Sequence, residues 1–279
     1  MFVLKKIKTK KDPSIIMTTA TATATYAKEP VAPPSRLLLL AEARALWETG
    51  AGIAMWPLLQ LTPRGDGHPV LVLPGLVAGD GSTLLLRRYL CSRGYDAHGW
   101  GLGRNFGPRE GVEDGMVELL KTLHDNSGQK VSVIGWSLGG VYARLLASSY
   151  SHMIRNVITL GSPFSGSPRA TNAWRVYEGV SGQSSHDPRR MKFVQPTPPV
   201  PTTSIFSRTD GVVAWRCSIE KTGPQSENIE VIASHLGLGA HPAVLYAVAD
   251  RLAQPEGEWK PFNRGVLGPL VYPDPDRES

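Results

Sequence analysis

The residues best suited to chemistry lie in Gly135-Trp136-Ser137-Leu138-Gly139, followed by Gly140. A serine flanked by glycines two positions away is a weak signal in a chain with 29 glycines, so its surroundings must carry the reading. The motif directly follows the β-branched run Val131–Ile134 and directly precedes a helical run, Val141 to Tyr150. A sharp strand-to-helix turn at that point would hold Ser137 at strained backbone angles and lift its hydroxyl clear of the chain. Gly135 and Gly139 are then required, because larger neighbours would collide. The hydroxyl would sit beside a helix N-terminus, where backbone N–H groups and the helix dipole favour developing negative charge. That chemistry is nucleophilic attack on a carbonyl.

A serine hydroxyl is a poor nucleophile at neutral pH and needs an oriented base. Two downstream segments offer one. Ser207-Arg-Thr-Asp210-Gly follows an expected strand at Thr203–Phe206, and Ser234-His235-Leu-Gly follows another at Asn228–Ile232. Both lie at C-terminal strand ends, where open parallel sheets gather their ligands. The loop one strand earlier, Gly161-Ser-Pro-Phe-Ser-Gly-Ser-Pro, has no carboxylate. Asp210 is therefore favoured over Asp187 as the acid. His235 is favoured as the base; its competitor His241 precedes Pro242, where helix capping is the simpler role. His98, His124, His152 and His186 read as strand-end or surface residues. An oxyanion needs two donors. The N–H of Leu138 supplies one, and the N–H of Leu76, in Leu73-Pro-Gly75-Leu76, supplies the other. A plain strand-ending turn is the competing reading of Pro74-Gly75.

The surrounding elements fit that placement. Val70–Leu73 reads as a short strand buried on both faces, and Asp96–Trp100, Val131–Ile134 and Ile154–Leu160 read as further short strands. They alternate with helices at Ser82–Arg93, with Leu84, Leu85, Tyr89 and Leu90 inward, at Val112–Ser127 and at Gly139–Tyr150. A last helix spans Pro242–Leu252. Strands alternating with helices imply right-handed crossovers and a mainly parallel sheet. Residues 163–200 break the rhythm and read as a lid or cap insertion. Apolar positions between Leu37 and Met55 suggest helical segments packed on something larger, interrupted at Gly50 and Gly52. Residues 1–36 read as a disordered basic tail, leaving 37–279 as the catalytic domain, with a Pro- and charge-rich stretch after Pro255.

Charge and composition exclude other classes. Residues 1–36 hold seven Lys or Arg against two acids, which accounts for +5 of the formal +6. The remainder is nearly neutral, so nucleic acid is not an expected partner. Cys91 and Cys217 are too few for a disulfide framework and read as inert thiols. No apolar run is long enough to cross a bilayer, and no compact secretory signal is present, which points to the cytoplasm.

From Val70 to Phe262 the chain resembles bacterial α/β-hydrolases of the esterase/lipase superfamily, including lipase-like relatives of inositol deacylases. The matching segments are LPGL (73–76), GYDAHGWGLGRN (94–105), GWSLGGVYAR (135–144), ITLGSPF (158–164), SRTDGVV (207–213) and SHLGL (234–238). Many relatives have His-Gly where this chain has Pro74-Gly75, which spares the backbone donor but removes any role of that histidine side chain. The resemblance implies an α/β-hydrolase fold and ester hydrolysis through an acyl-enzyme, without metal or organic cofactor. The apolar strand-end residues Leu76, Val77 and Phe164, and the apolar lid positions, suggest an uncharged acyl ester of medium or long chain and contact with a lipid surface. Three other readings stay open. An acyltransferase or thioesterase could use the same triad. A non-catalytic binding protein could share the fold. A nucleotide-binding α/β protein is disfavoured, because Gly101-Leu-Gly103-Arg-Asn-Phe-Gly107 is one residue out of register with G-x-G-x-x-G.

Overall fold

The structure, a computed structural model, describes residues 31–167, 169–184, 194–265 and 268–277. Six strands form one sheet: β1 (Pro69–Leu73), β2 (Asp96–Gly99), β3 (Val131–Trp136), β4 (Ile154–Leu160), β5 (Thr202–Phe206) and β6 (Ser226–Glu230). Their order is β2-β1-β3-β4-β5-β6, and every pairing is parallel. The expected mainly parallel sheet flanked by helices is what the chain forms.

Alternation along β1 explains why that strand is continuously apolar. Val70 and Val72 pack on the face covered by α4 (Leu84–Ser92) and α8 (Pro242–Leu252). Leu71 and Leu73 pack on the other face, under α5 (Val112–Ser127) and α6 (Leu138–Tyr150). Side chains two apart share a face, so a sheet covered on both sides needs an apolar residue at each position.

Some boundaries differ from the sequence expectation. Residues 80–83 form a turn, tied by the Ser82 hydroxyl to Gly79 O and the Thr83 hydroxyl to Asp80 O. Helix α4 therefore starts at Leu84 and buries Leu86, Tyr89 and Leu90, leaving Leu84 exposed. Strand β6 starts and ends two residues before the expected Asn228–Ile232, because its ladder places Ile229 beside Ile205. Ile232 then falls in the loop carrying His235 and is exposed. The stretch after Pro255 is not merely polar. Phe262 and Tyr272 meet edge to face at 4.8 Å, and the Tyr272 hydroxyl donates to Ala243 O in α8.

The largest departure is near the N-terminus. The helices α1 (Arg36–Ala41), α2 (Ala45–Ala54) and α3 (Trp56–Leu59) form, and α2 runs straight through Gly50 and Gly52. At Gly52 a Cβ would stand 2.1 Å from Ala240 O, so this glycine permits close packing rather than a break. The burial pattern is inverted. Leu37, Leu40, Leu46 and Trp47 are 75–84% exposed, while Glu42 and Glu48 are 5% and 7% exposed. Polar backbone faces Glu42 and Glu48, while Leu59 and Trp56 of α3 join the apolar core.

Within the expected lid, α7 (Trp174–Ser181) forms, and residues 194–200 return to β5. Arg144 of α6 anchors that return: its Nε donates to Val194 O (2.6 Å) and its Nη2 to Pro196 O (2.9 Å). Its Nη1 pairs with buried Glu220, and its guanidinium lies 3.9 Å above the Phe164 ring. Phe164 is therefore buried under Arg144 rather than facing a substrate. Asp187, His186 and residues 1–30 lie outside the described residues. Of the tail assigned to 1–36, Pro34 O accepts from Asn172 Nδ2, and Val31 packs beside Ala170 and Val213.

Candidate active site

Strand pairing brings the loops together. Leu73 at the end of β1 is opposite Gly135 near the end of β3, and Trp136 is opposite Leu160 at the end of β4. The loops after these strands thus share one rim. Those after β5 and β6 add Asp210 and His235 to it.

Ser137 sits at φ 53° and ψ −119°, one of two non-glycine residues with positive φ among those described. Such angles cost free energy and persist only when the surroundings enforce them. Enforcement is visible here. Ser137 N donates to Leu160 O at 2.8 Å, and α6 starts at the next residue. A Cβ on Gly139 would lie 2.3 Å from Leu73 O, so only glycine lets α6 approach β1 this closely. Ser137 itself is partly exposed, and a Cβ on Gly75 would be 3.9 Å from its Oγ. The Pro74-Gly75 turn lies directly beside the hydroxyl.

Asp210 and His235 are brought into contact. Asp210 Oδ1 accepts from Val212 N (2.8 Å) and Val213 N (2.7 Å), which fixes the carboxylate on its own loop. Oδ2 is then aimed at His235 Nδ1, 2.7 Å away, with both side chains buried. Nε2 is the imidazole nitrogen left over. Burial by itself would lower the His235 pKa. The Asp210 charge, its hydrogen bond and then the Glu42 charge outweigh that, and the net shift is upward from 6.5. The His235 loop is tied to the Ser137 turn as well, because Trp136 Nε1 donates to His235 O at 3.1 Å. A Cβ on Gly161, which follows Leu160, would stand 3.1 Å from both Asp210 Oδ2 and His235 Nδ1. Ser137, Gly161, Asp210 and His235 therefore line one continuous patch. Among the described residues Ser137 Oγ makes no hydrogen bond, a common state of sites without substrate, where such contacts tighten on binding.

Leu76 and Leu138 flank the serine. Leu138 opens α6, where the N–H has no partner inside the helix. Leu76 lies in the turn after β1. Asn105, fully buried, clamps that turn on both sides: Val77 N donates to Asn105 O (2.7 Å), Asn105 N to Ala78 O (2.7 Å), and Asn105 Nδ2 to Pro74 O (2.8 Å). The clamp holds Val77 at φ 55°, an unusual value for a β-branched residue. The stretch with a near-miss to a nucleotide motif thus supports the turn beside Ser137.

Four other histidines have separate partners. His241 caps α8, its Nδ1 accepting from Ala243 N, and burial lowers its pKa. His98 pairs with Asp96, and His124 Nδ1 meets Gln129 O. His68, which sequence reasoning passed over, is fully buried at the start of β1 against Ser132, Asp66 and Arg155. That cluster lies at the opposite strand ends from Ser137. Sequence reasoning also missed Asn105, Glu42 and Glu48. Asparagine in a loop and glutamate in a helix carry no signal of their own without the partner backbone in view.

A cavity of about 770 Å³ opens beside Asp210, lined by Pro34, Leu38, Arg208, Trp215 and Arg216 among others. Asp210 lines it, whereas Ser137 and His235 are not among its lining residues. Among the described residues no group of His, Cys, Asp and Glu is arranged to hold a metal, and no helix is long and apolar enough to cross a membrane. Cys91 is exposed, Cys217 is buried, and both are free thiols.

The sequence profile of the Alpha/beta hydrolase family matches residues 49–274. Serine hydrolase BPHL of Homo sapiens is 29% identical over 154 residues, covering 48% of this chain and 47% of that protein. The Mus musculus protein of the same name is 29% identical over 149 residues, 46% of each. The chain spans about half the length of the curated relatives it matches. Aspergillus fumigatus lipase B superposes with a TM-score of 0.54 at 15% identity, over 69% of this chain and 53% of that one, a likeness of fold.

Proposed function

The chain belongs to the alpha/beta hydrolase family, and from that premise we propose that it is a serine hydrolase cleaving carboxylic esters through an acyl-enzyme. Ser137 Oγ attacks the ester carbonyl while His235 Nε2 takes its proton. Asp210 fixes the imidazole tautomer and stabilises the imidazolium, and the N–H groups of Leu76 and Leu138 hold the oxyanion. His235 then passes the proton to the leaving alcohol. Water repeats the sequence, splitting the acyl–serine bond and releasing the acid with Ser137 restored.

The observation that carries this reading is the buried 2.7 Å contact between Asp210 Oδ2 and His235 Nδ1, on the same rim as a serine held at positive φ. Val77 and Leu236, both exposed, give that rim an apolar character and favour an uncharged acyl ester as the substrate. A fluorophosphonate probe should label the wild type and leave Ser137→Ala unlabelled. Equal labelling of both would overturn the assignment. A p-nitrophenyl ester series should peak at medium or longer acyl chains, and a sharp maximum at acetate would refute the chain-length preference.

A further inference from the structure

Glu42 and Glu48 are buried carboxylates that the hydrolytic steps leave unused. Glu42 lies between α1 and α2, before the family-matched segment begins at residue 49. Its Oε1 accepts from Gly211 N (2.7 Å) and from His235 N (2.9 Å), and its Oε2 accepts from Leu236 N (2.8 Å). Gly211 adjoins Asp210 in sequence, and Leu236 adjoins His235. One side chain therefore grips the backbone of the acid loop and of the base loop together. A second contact backs it up. Glu48 accepts from Ser234 N (2.9 Å), and Arg44 Nε donates to Glu48 at 3.0 Å while its Nη2 donates to Thr209 O at 2.7 Å.

We propose that Glu42 is a positioning residue of the active site, a buried carboxylate that locks the Asp210 loop to the His235 loop and places a second negative charge behind the imidazole. The proposal rests on the Ser137–His235–Asp210 reading. Three features support it. All three partners are N–H donors, which suits an ionised carboxylate, an acceptor only. Hydrogen bonds from N–H to a charged acceptor are stronger than neutral ones, and burial spares them competition from water. The burial inversion of this segment also has a cause: helices that turn leucines outward must be held by something else, and Glu42 and Glu48 supply the contacts. The charged groups around His235 are Asp210 in direct contact and Glu42 through the backbone, with the Glu48–Arg44 pair one residue further back. Asp210 and Glu42 both favour the protonated imidazole.

Glu42→Gln in the full chain separates positioning from simple fold support. Glutamine keeps one oxygen and turns an N–H group towards another N–H group. The readouts are the rate of inactivation by a fluorophosphonate, followed across the pH range in which histidine titrates, and the Tm. The expected result is a plateau rate about tenfold lower, from losing a hydrogen bond to a charged group. The acid limb should also move to lower pH, from losing a nearby negative charge. An unchanged plateau and limb with only a lower Tm would overturn the proposal. Ser137→Ala is run alongside, and labelling of that variant would sink the triad reading instead. Should Glu42→Gln not fold, hydrogen exchange of the wild type decides. The Gly211, His235 and Leu236 amides should exchange as slowly as those of β5, and loop-like exchange would overturn the proposal.

Discussion

Replacing Asp210 with asparagine tests how much of the rate rests on one buried contact. Asparagine is nearly isosteric, and its oxygen can take over the two loop hydrogen bonds from Val212 and Val213. Its amide nitrogen then faces His235 Nδ1, where Oδ2 had been 2.7 Å away. Two donors cannot face each other, so the imidazole moves its proton to Nε2, the atom required as the base. The charge that stabilises the imidazolium is lost as well. Both partners are buried, so water cannot substitute for either effect. A tautomer inversion of this kind lowers kcat by about four orders of magnitude, or about 5.4 kcal/mol of transition-state stabilisation. Stability should change little, because the loop keeps its turn. The assay pairs ester hydrolysis with calorimetry on wild type and Asp210→Asn. Activity within tenfold of wild type at unchanged Tm would mean that Asp210 does not orient the base.

Three further outcomes follow from the same geometry. Because the His235 pKa lies above 6.5 and the base must be neutral, kcat/KM should fall as pH drops through a value higher than 6.5; an acid limb below 6.5 would contradict the net effect of Asp210 and Glu42. Asn105→Ala should lower kcat by about 10- to 100-fold, with KM changed far less, because the Leu76 turn keeps its two backbone bonds to residue 105 but loses the side-chain bond to Pro74 O, and one oxyanion donor drifts; steady-state kinetics on a p-nitrophenyl ester would show this, and an unchanged kcat would refute it. Arg144→Met should destabilise the fold by about 3–5 kcal/mol in chemical denaturation, because Glu220 is left as a buried unpaired charge; Arg144→Met with Glu220→Leu should recover much of the loss, and equal losses in both variants would count against the pair.

The parallel sheet was legible because its signals are local. Val70–Leu73 is apolar throughout, as suits a strand covered on both faces, and Val131–Ile134 and Ile154–Leu160 are mostly apolar and β-branched. The capping role of His241 was legible too, since a residue ahead of Pro242 has few alternatives. What could not be read was any role set by a distant backbone. Leu37, Leu40 and Leu46 argue for an inward face, yet Glu42 and Glu48 are the buried residues. The donors that reverse the pattern lie at Gly211 and Ser234 to Leu236, far along the chain. Asn105 is similar, since its partners at 74, 77 and 78 look like an ordinary turn. Phe164 was misplaced for the same reason: nothing beside it in sequence announces the guanidinium of Arg144 above its ring. The register of β6 slipped because adjacent apolar residues in Ile229 to Ile232 allow more than one strand window.

The pairing of Leu73 with Gly135 has a consequence for how such a site can change over generations. The proposed donors at positions 76 and 138 each lie three residues beyond that pair, so the interstrand pitch of about 4.8 Å sets the spacing at which their two loops leave the sheet. That pitch belongs to the peptide group and not to any side chain. As long as Asn105 keeps the Leu76 turn in place, mutation can reshape other loops that select a substrate while the proposed cradle for negative charge holds, which leaves substrate preference free to drift without dismantling the reaction.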